Sequence, residues 1–462
     1  MLDLVERLLK YVEGLVDYAE VRYENINSNN FIIKNGILEA TDISKAFGIS
    51  IRYLKKGFLG TINSNYLDFA KLKDLVDRTV SKTAPVKKPI ELSKEKACND
   101  SYDVKQKINL RDVSQEEKIK ALLEIEKVLA AKKLAMRYFE LHDELKEKIY
   151  VNSEGSKIIS NIPRVNFEYV LTLIANGKSE QRVFQRSASG GWEIFENWNL
   201  VGKLTEEAEM LAKLSKAKNL IKGKYDLILA PELVGIASHE SCGHPYEADR
   251  ILGREAAQAG KSFVTKDMIG TRIGSDVVSV ADDPTVPNSY GFYLYDEEGV
   301  KAERRILIKN GVINSFLQNR ETAAELNTQS NGAARAFAWN SEPLVRMANT
   351  FVLPGDHSFD ELLEGIKKGV YIKTYMEWNI DDKRFNQKYT GLEAYMIENG
   401  ELKGLVRRPM LEITTPKFWS SIDAVGKDLG FIAGNCGKGD PMQGVPVWMG
   451  GPHIRLRNII LV

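Results

Sequence analysis

Lys224-Tyr-Asp-Leu-Ile-Leu-Ala230, followed at once by Pro231 and then by His239-Glu240-Ser241-Cys242-Gly243-His244-Pro245, holds most of the structural and chemical information in this chain. The apolar run 224–230 has the length of a buried strand, and Pro231 suits the first position of a helix, where its missing N–H costs nothing. A strand feeding a helix is expected, and that helix would carry the His-Glu-Ser-Cys-Gly-His run. Two imidazoles and a carboxylate within six residues can hold and use a metal ion. In the zincin arrangement the two His lie four apart on one helical face, and the Glu after the first is the general base. Here the spacing is five. On a regular helix this turns the second ring about 140° from the first. The helix must therefore break between them, and Gly243, which can adopt φ > 0, and Pro245, which disfavours the α region for His244, supply a means. His239 would then sit on the last helical turns, His244 on the departing chain, and Glu240 beside the first ring. The competing reading is a chance cluster of satisfied core groups. The chain has only five His in 462 residues, and two of them are here.

A catalytic zinc usually has three protein ligands and one open position for water. The chain has three cysteines, Cys98, Cys242 and Cys436, too few and too scattered for a disulfide framework, which favours a reduced, intracellular compartment. Cys98 lies in a polar loop. Cys242 falls inside the motif beside the breaking glycine, where it is either a ligand or small packing. Cys436 stands in the glycine-dense Gly434-Asn-Cys-Gly-Lys-Gly-Asp-Pro-Met-Gln-Gly444, where a thiolate could be aimed at a metal or simply remain free in a loop.

Three segments together, HESCGHPYEAD (239–249), Asn331-Gly332-Ala-Ala-Arg335 and CGKGDPMQGVPVWMGGP (436–452), resemble the TldD/PmbA family, named for a link to DNA gyrase, and within it the TldD-type, metal-bearing branch. The resemblance spans the whole chain and is strongest over 224–462. It implies a zinc peptidase in which His239, His244 and Cys436 hold the metal and Glu240 is the catalytic base. Cys242 within the motif departs from the family pattern and would be a second soft ligand close by. The resemblance also implies a dimer, either of identical chains or with a PmbA/TldE-like subunit.

Composition fits a cytoplasmic enzyme. With 43% apolar residues, 462 residues suffice for two or three packed domains. A formal net charge of +1 gives no electrostatic case for nucleic acid. The N-terminal Met1–Lys10 is acidic where a signal peptide needs a basic start, so it reads as an amphipathic helix, and no apolar run is long enough to span a membrane.

Along the chain, Asn30–Ala40 holds an Asn35-Gly36 hairpin signal, and 46–62 reads as a further pair of strands. Helices are expected over 68–82, over 114–132 with a Ser114/Glu117 capping box, and over 206–218. Residues 83–112 read as a connection and 135–198 as strands. Asn310-Gly311 and Asn399-Gly400 repeat the hairpin signal, and 295–299 is a turn. The expected fold class is α+β in two domains, each with mostly antiparallel or mixed sheets and flanking helices. The first domain, 1–218, would supply the substrate cleft and dimer contacts; the second, 219–462, would carry the metal site.

Several polar groups are weaker candidates. Glu247 and Asp249 could orient the ligating imidazoles or be ordinary charges. Asp282-Asp283 more often builds a turn than binds a cation. Asn331 and Arg335 could contact substrate or position the glycine loop. His142 and His357 read as surface residues, and His453 as an oxyanion stabiliser with no evident partner. The expected substrate is a short or unfolded peptide held as an added strand. A small-molecule amidase or deacylase, or a non-catalytic zinc-bearing peptide-binding subunit, are the alternatives; Glu240 argues against the last, because a structural zinc needs a fourth ligand and no base.

Overall fold

The computed structural model describes residues 1–255 and 260–462. Seven strands of the first half form one sheet: β1 (Tyr18–Lys34), β2 (Ile37–Lys55), β3 (Phe58–Ser64), β4 (Asn99–Asp103), β5 (Met136–Asn152), β6 (Lys157–Ala175) and β7 (Lys178–Ser189), in the order β3-β2-β1-β5-β6-β4 with β7 also on β6. All pairings are antiparallel except β4 on β6. Hairpin β1–β2 turns at Asn35 and Gly36, both at positive φ (49° and 86°), the conformation an Asn-Gly type I′ turn requires. Asn310-Gly311 and Asn399-Gly400 turn in the same way. A fourth such pair, Asn176-Gly177, not among the hairpin signals expected, joins β6 to β7 by the same turn chemistry.

Helices Leu2–Glu13, Phe69–Val80 and Gln115–Leu129 lie where expected, the last opened by the reciprocal Ser114/Glu117 bonds of a capping box. Three expectations need correction. The second arm of the first hairpin and the first strand of 46–62 are one long strand, β2, because nothing in 41–45 interrupts the ladder. The connection 83–112 contains β4, which finds a partner only in the distant β6. The helix placed at 206–218 runs Leu200–Leu214, burying Leu200, Leu204, Ala208 and Leu211 on one face. A short helix, Glu193–Asn197, also follows β7.

The second half adds a six-stranded and a ten-stranded sheet, both mixed, so the molecule is α+β. Strand Gly223–Leu229 lies inside the larger sheet, parallel to Lys368–Ile372 and antiparallel to Ile454–Leu461, which explains its continuous apolar run. No helix among the described residues is long and apolar enough to cross a membrane.

Candidate metal centre

Strand Gly223–Leu229 passes through Ala230 into helix Pro231–Ser238, with proline at its start. The helix packs on strand Gln443–Gly451 so closely that a Cβ at Gly235 would lie 2.7 Å from the carbonyl oxygen of Met449. The break between the two histidines is real, but its form differs from expectation. Residues His239–Gly243 form a π turn, in which the His244 N–H donates to the His239 carbonyl. Gly243 (φ −52°) and His244 (φ −58°) both stay in the right-handed helical region, and Pro245 starts a 3₁₀ turn, His244–Tyr246. The wider π turn spaces its bonded residues five apart, so it returns i+5 to the face of i without ending the helix. Glycine is needed at 243 for space: a Cβ there would lie 1.8 Å from the Met347 sulfur.

The two rings meet edge to face with centroids 4.8 Å apart. Cys436, on strand Gly430–Lys438, closes the cluster: its Sγ is 3.2 Å from His239 Nε2 and 3.3 Å from His244 Nε2. All three side chains are buried, and their ligand atoms lie within 4.8 Å of one another. Burial disfavours the charged form of both imidazoles and lowers their pKa, which leaves lone pairs free. Burial alone would raise the Cys436 thiol, but His244 and Arg346 beside it outweigh this and hold it at about 7. Glu240 is buried in the same cleft, its Oε2 2.5 Å from Arg384 Nη1. The cleft, about 350 Å³, is also walled by Phe184, Tyr375 and Trp378.

Of the two acidic residues after the motif, only Glu247 reaches a ring: its Oε2 is 3.1 Å from His244 Nδ1. It also faces Arg250, Lys438 (3.3 Å) and Arg346 (3.8 Å); burial opposes its ionisation, but Lys438, Arg250 and His244 hold its carboxylate well below the usual range. Asp249 instead pairs with Lys438 at 2.6 Å. His239 Nδ1 has no hydrogen-bond partner among the described residues. Arg384, Lys438 and Arg346 escaped the sequence reading because they come from distant strands and loops.

The remaining candidates separate clearly. Cys242 is not a second soft ligand: it lies in the apolar core, and burial pushes its thiol strongly up. Asp282 pairs with Arg305 and Asp283 with Arg304 and Thr285, so the two acids build structure. Asn331 ties down the main chain of Phe316 and Gln318. His453 has partners after all, Asp428 and Tyr371, but it lies outside the cleft and cannot serve an oxyanion there. His357 bonds the Val425 carbonyl. His142 is half-buried in the wall of a cavity that opens to solvent.

A buried two-histidine, one-thiolate cluster with a carboxylate beside it on an α+β scaffold defines a metallopeptidase-like centre. Family models for the PmbA/TldA metallopeptidases match the chain in three segments, domain 1 over 19–82, the central domain over 108–216 and the C-terminal domain over 222–461, and the chain belongs to this family. It is 34% identical to a metalloprotease of Methanocaldococcus jannaschii over 98% of both chains. It is 27% identical to a zinc metalloprotease TldD homolog of Saccharolobus solfataricus, again over 98% of each. Two solved structures share the fold: a Thermotoga maritima protein described as a candidate modulator of a DNA gyrase (TM-score 0.80, 18% identity, 100% and 99% covered) and TldE from Thermococcus kodakarensis (0.75, 17%, 99% and 100%).

Proposed function

We propose that the chain is a zinc-dependent peptidase acting on short or unfolded peptides, with His239, His244 and Cys436 as metal ligands and Glu240 as general base. The convergence of three buried donors on one point, beside a buried carboxylate, carries this reading. Two neutral imidazoles and a thiol poised near neutrality suit zinc, and three donors leave a tetrahedral ion one open position. When bound, the metal supplies Lewis acidity and lowers the pKa of a water molecule. The chain's own residues do the rest. Arg384 holds Glu240 by Oε2, which leaves Oε1 to take a proton and return it to the leaving amine. Among the described residues β7 has a strand partner only in β6, and strand Gly430–Lys438 only in Gln443–Gly451; the ends of the β7 edge are tied by Arg408, Trp448 and Asn288, and the middle of that edge and the unpartnered edge of Gly430–Lys438 line the cleft. Free edges favour an extended peptide held by main-chain bonds over a small amide. A dimer of identical chains, or a pairing with a TldE-like subunit, is the proposed assembly.

The test combines metal analysis, a peptide-cleavage screen and Glu240→Gln. The variant should keep its zinc and its melting temperature while hydrolysis falls roughly 10²–10⁴-fold. Undiminished hydrolysis would remove Glu240 from the mechanism.

A further inference from the structure

A second cavity of about 590 Å³ lies against the metal cleft and shares Glu168 and Asn435 with it. One wall is the sheet formed by β5 and β6; the other includes Tyr293, Arg335, Phe337 and Pro446 from the second half of the chain. Within this wall Arg335 is anomalous. Each other buried arginine and lysine of the described residues has a carboxylate beside it, among them Arg22 with Glu297, Arg52 with Glu298, Lys118 with Asp143, Arg164 with Glu144, Arg305 with Asp282 and Arg407 with Glu180. Arg335, only 7% exposed, has none. Among the described residues its side chain makes a single hydrogen bond, from Nη1 to the Met347 carbonyl at 2.7 Å, and its guanidinium lies over the Tyr293 ring at 5.4 Å. Burial drops its pKa to about 10; Tyr293 and the Asp282 carboxylate, which lies beyond ion-pair distance, oppose this only in part, and the Arg164 and Arg346 cations add to it.

A buried charge without a counter-ion is costly, and proteins pair such charges or use them to bind a ligand. Arg335 is anchored at one nitrogen and keeps Nε and Nη2 for a partner in the cavity, the paired donors that match a carboxylate. The cations around the cavity, Arg164, Lys146 and Lys148, are already neutralised by Glu144, Glu24 and Glu297. Three further carboxylates line the cavity, but Tyr138 donates to Glu140, burial pushes Glu168 and Asp296 towards their neutral forms, and Asp296 is also taken up by the N–H groups of Glu298, Val300 and Ala334.

We propose that Arg335 anchors a carboxylate-binding subsite in the cavity adjoining the metal cleft, and that it seats a carboxylate of the peptide substrate. The proposal rests on the peptidase reading. The carboxylate belongs either to the free C-terminus of a short peptide or to an Asp or Glu side chain.

Three matched peptides separate these sources: one with a free C-terminus, one amidated, and one amidated with an internal acidic residue. Their affinities are measured by calorimetry on the full zinc-loaded chain carrying Glu240→Gln to prevent turnover. One carboxylate form should bind about tenfold tighter than the neutral peptide, the size of one charge-assisted bidentate contact. Arg335→Gln should abolish that preference and leave the neutral peptide's affinity unchanged. Arg335→Lys, which keeps the charge but loses the fork, should reduce the preference several-fold and serves if the glutamine variant does not fold. A merely structural arginine would instead lower the melting temperature and affect all three peptides alike. Equal affinity for the three peptides, no binding of any, or a preference that survives both substitutions would overturn the subsite. Failure of the unsubstituted chain to cleave any of the peptides, with the Arg335-dependent preference intact, would sink the peptidase reading and spare the subsite.

Discussion

Cys436 and Cys242 show how little residue type says without placement. Both are buried, yet the first faces two imidazoles at 3.2 and 3.3 Å while the second lies in the core with its thiol pushed up by burial. If these residues hold zinc as proposed, Cys436→Ser should remove most of the bound metal, because a hydroxyl is a far poorer ligand than a thiolate, and Cys242→Ser should leave the metal content unchanged. Atomic absorption on the two purified variants decides the point, and a reversed order would refute the ligand set. Glu247 makes a finer test. It touches the metal cluster only through His244 Nδ1, fixing the ring so that Nε2 points inward. Glu247→Gln should weaken zinc binding roughly 10–100-fold in a chelator competition, as loss of such a supporting carboxylate commonly does. An unaltered zinc affinity would reduce Glu247 to a counter-ion for Arg250 and Lys438. The motif made His239, Glu240 and His244 legible because they are close in sequence. The roles of Arg384 and Lys438 were not legible, because they reach Glu240 and Asp249 across 144 and 189 residues; Lys438 lies in the glycine-rich stretch around Cys436, but nothing there points to Asp249.

The strand, the helix and the need for a break were all readable from 224–245, but the kind of break was not. Both a left-handed glycine and a π turn bring residues five apart together, and the sequence permits either; what selects the π turn is the packing of Met347 and Thr350 against Gly243, which no local pattern encodes. The Asn-Gly hairpins were legible for the opposite reason, since their turn chemistry is complete within two residues. β4 was missed because a five-residue polar strand on a sheet edge has no periodicity of its own. The π turn yields a prediction about space. Gly243→Ala adds no backbone strain at φ −52°, yet its methyl would enter the volume of the buried Met347 side chain. It should cost about 1–3 kcal/mol of stability by overpacking and displace the second histidine enough to lower zinc content. Adding Met347→Ala should restore much of both. Gly404→Ala, where the new methyl meets nothing within 4 Å, should be silent in the same melts. A Gly243→Ala variant as stable and as zinc-loaded as Gly404→Ala would show that the turn tolerates the methyl.

The first sheet and the second half of the chain share one hydrophobic core, and beside it they are joined by buried ion pairs that make part of the contact sensitive to pH. Arg22 of β1 and Lys148 of β5 meet Glu297 at 3.0 and 3.2 Å, and Arg52 of β2 meets Glu298 at 2.5 Å, with Tyr150 bonding the Glu298 carbonyl nearby. Burial opposes ionisation of Glu297, but Lys148 and Arg22 overcome it and hold the carboxylate far below its ordinary value of 4.5. A carboxylate whose pKa is depressed by folding contributes stability that is fully present above the unfolded value and is lost as pH falls through the folded one. Docking of the first sheet should thus be insensitive to Glu297 from neutrality down to about pH 4.5 and weaken progressively below it. The buried pair also makes a warning: removing Arg22 alone would leave a partly uncompensated charge and exaggerate the effect. Glu297→Gln likewise strands the Lys148 ammonium, so the size of its effect is inflated too, but it keeps the shape and removes the titration, and the readout is how the gap changes with pH. Its melting temperature should be lower than that of the unsubstituted chain at pH 7, and the gap should narrow as pH falls below 4.5, because only the unsubstituted chain has a Glu297 carboxylate to lose. Calorimetric scans at half-unit steps from pH 7 to pH 3 would read this, with amide exchange in β1 and β5 reporting whether the sheet loosens first. Parallel pH curves for the two proteins would show that the docking does not depend on the charge of Glu297.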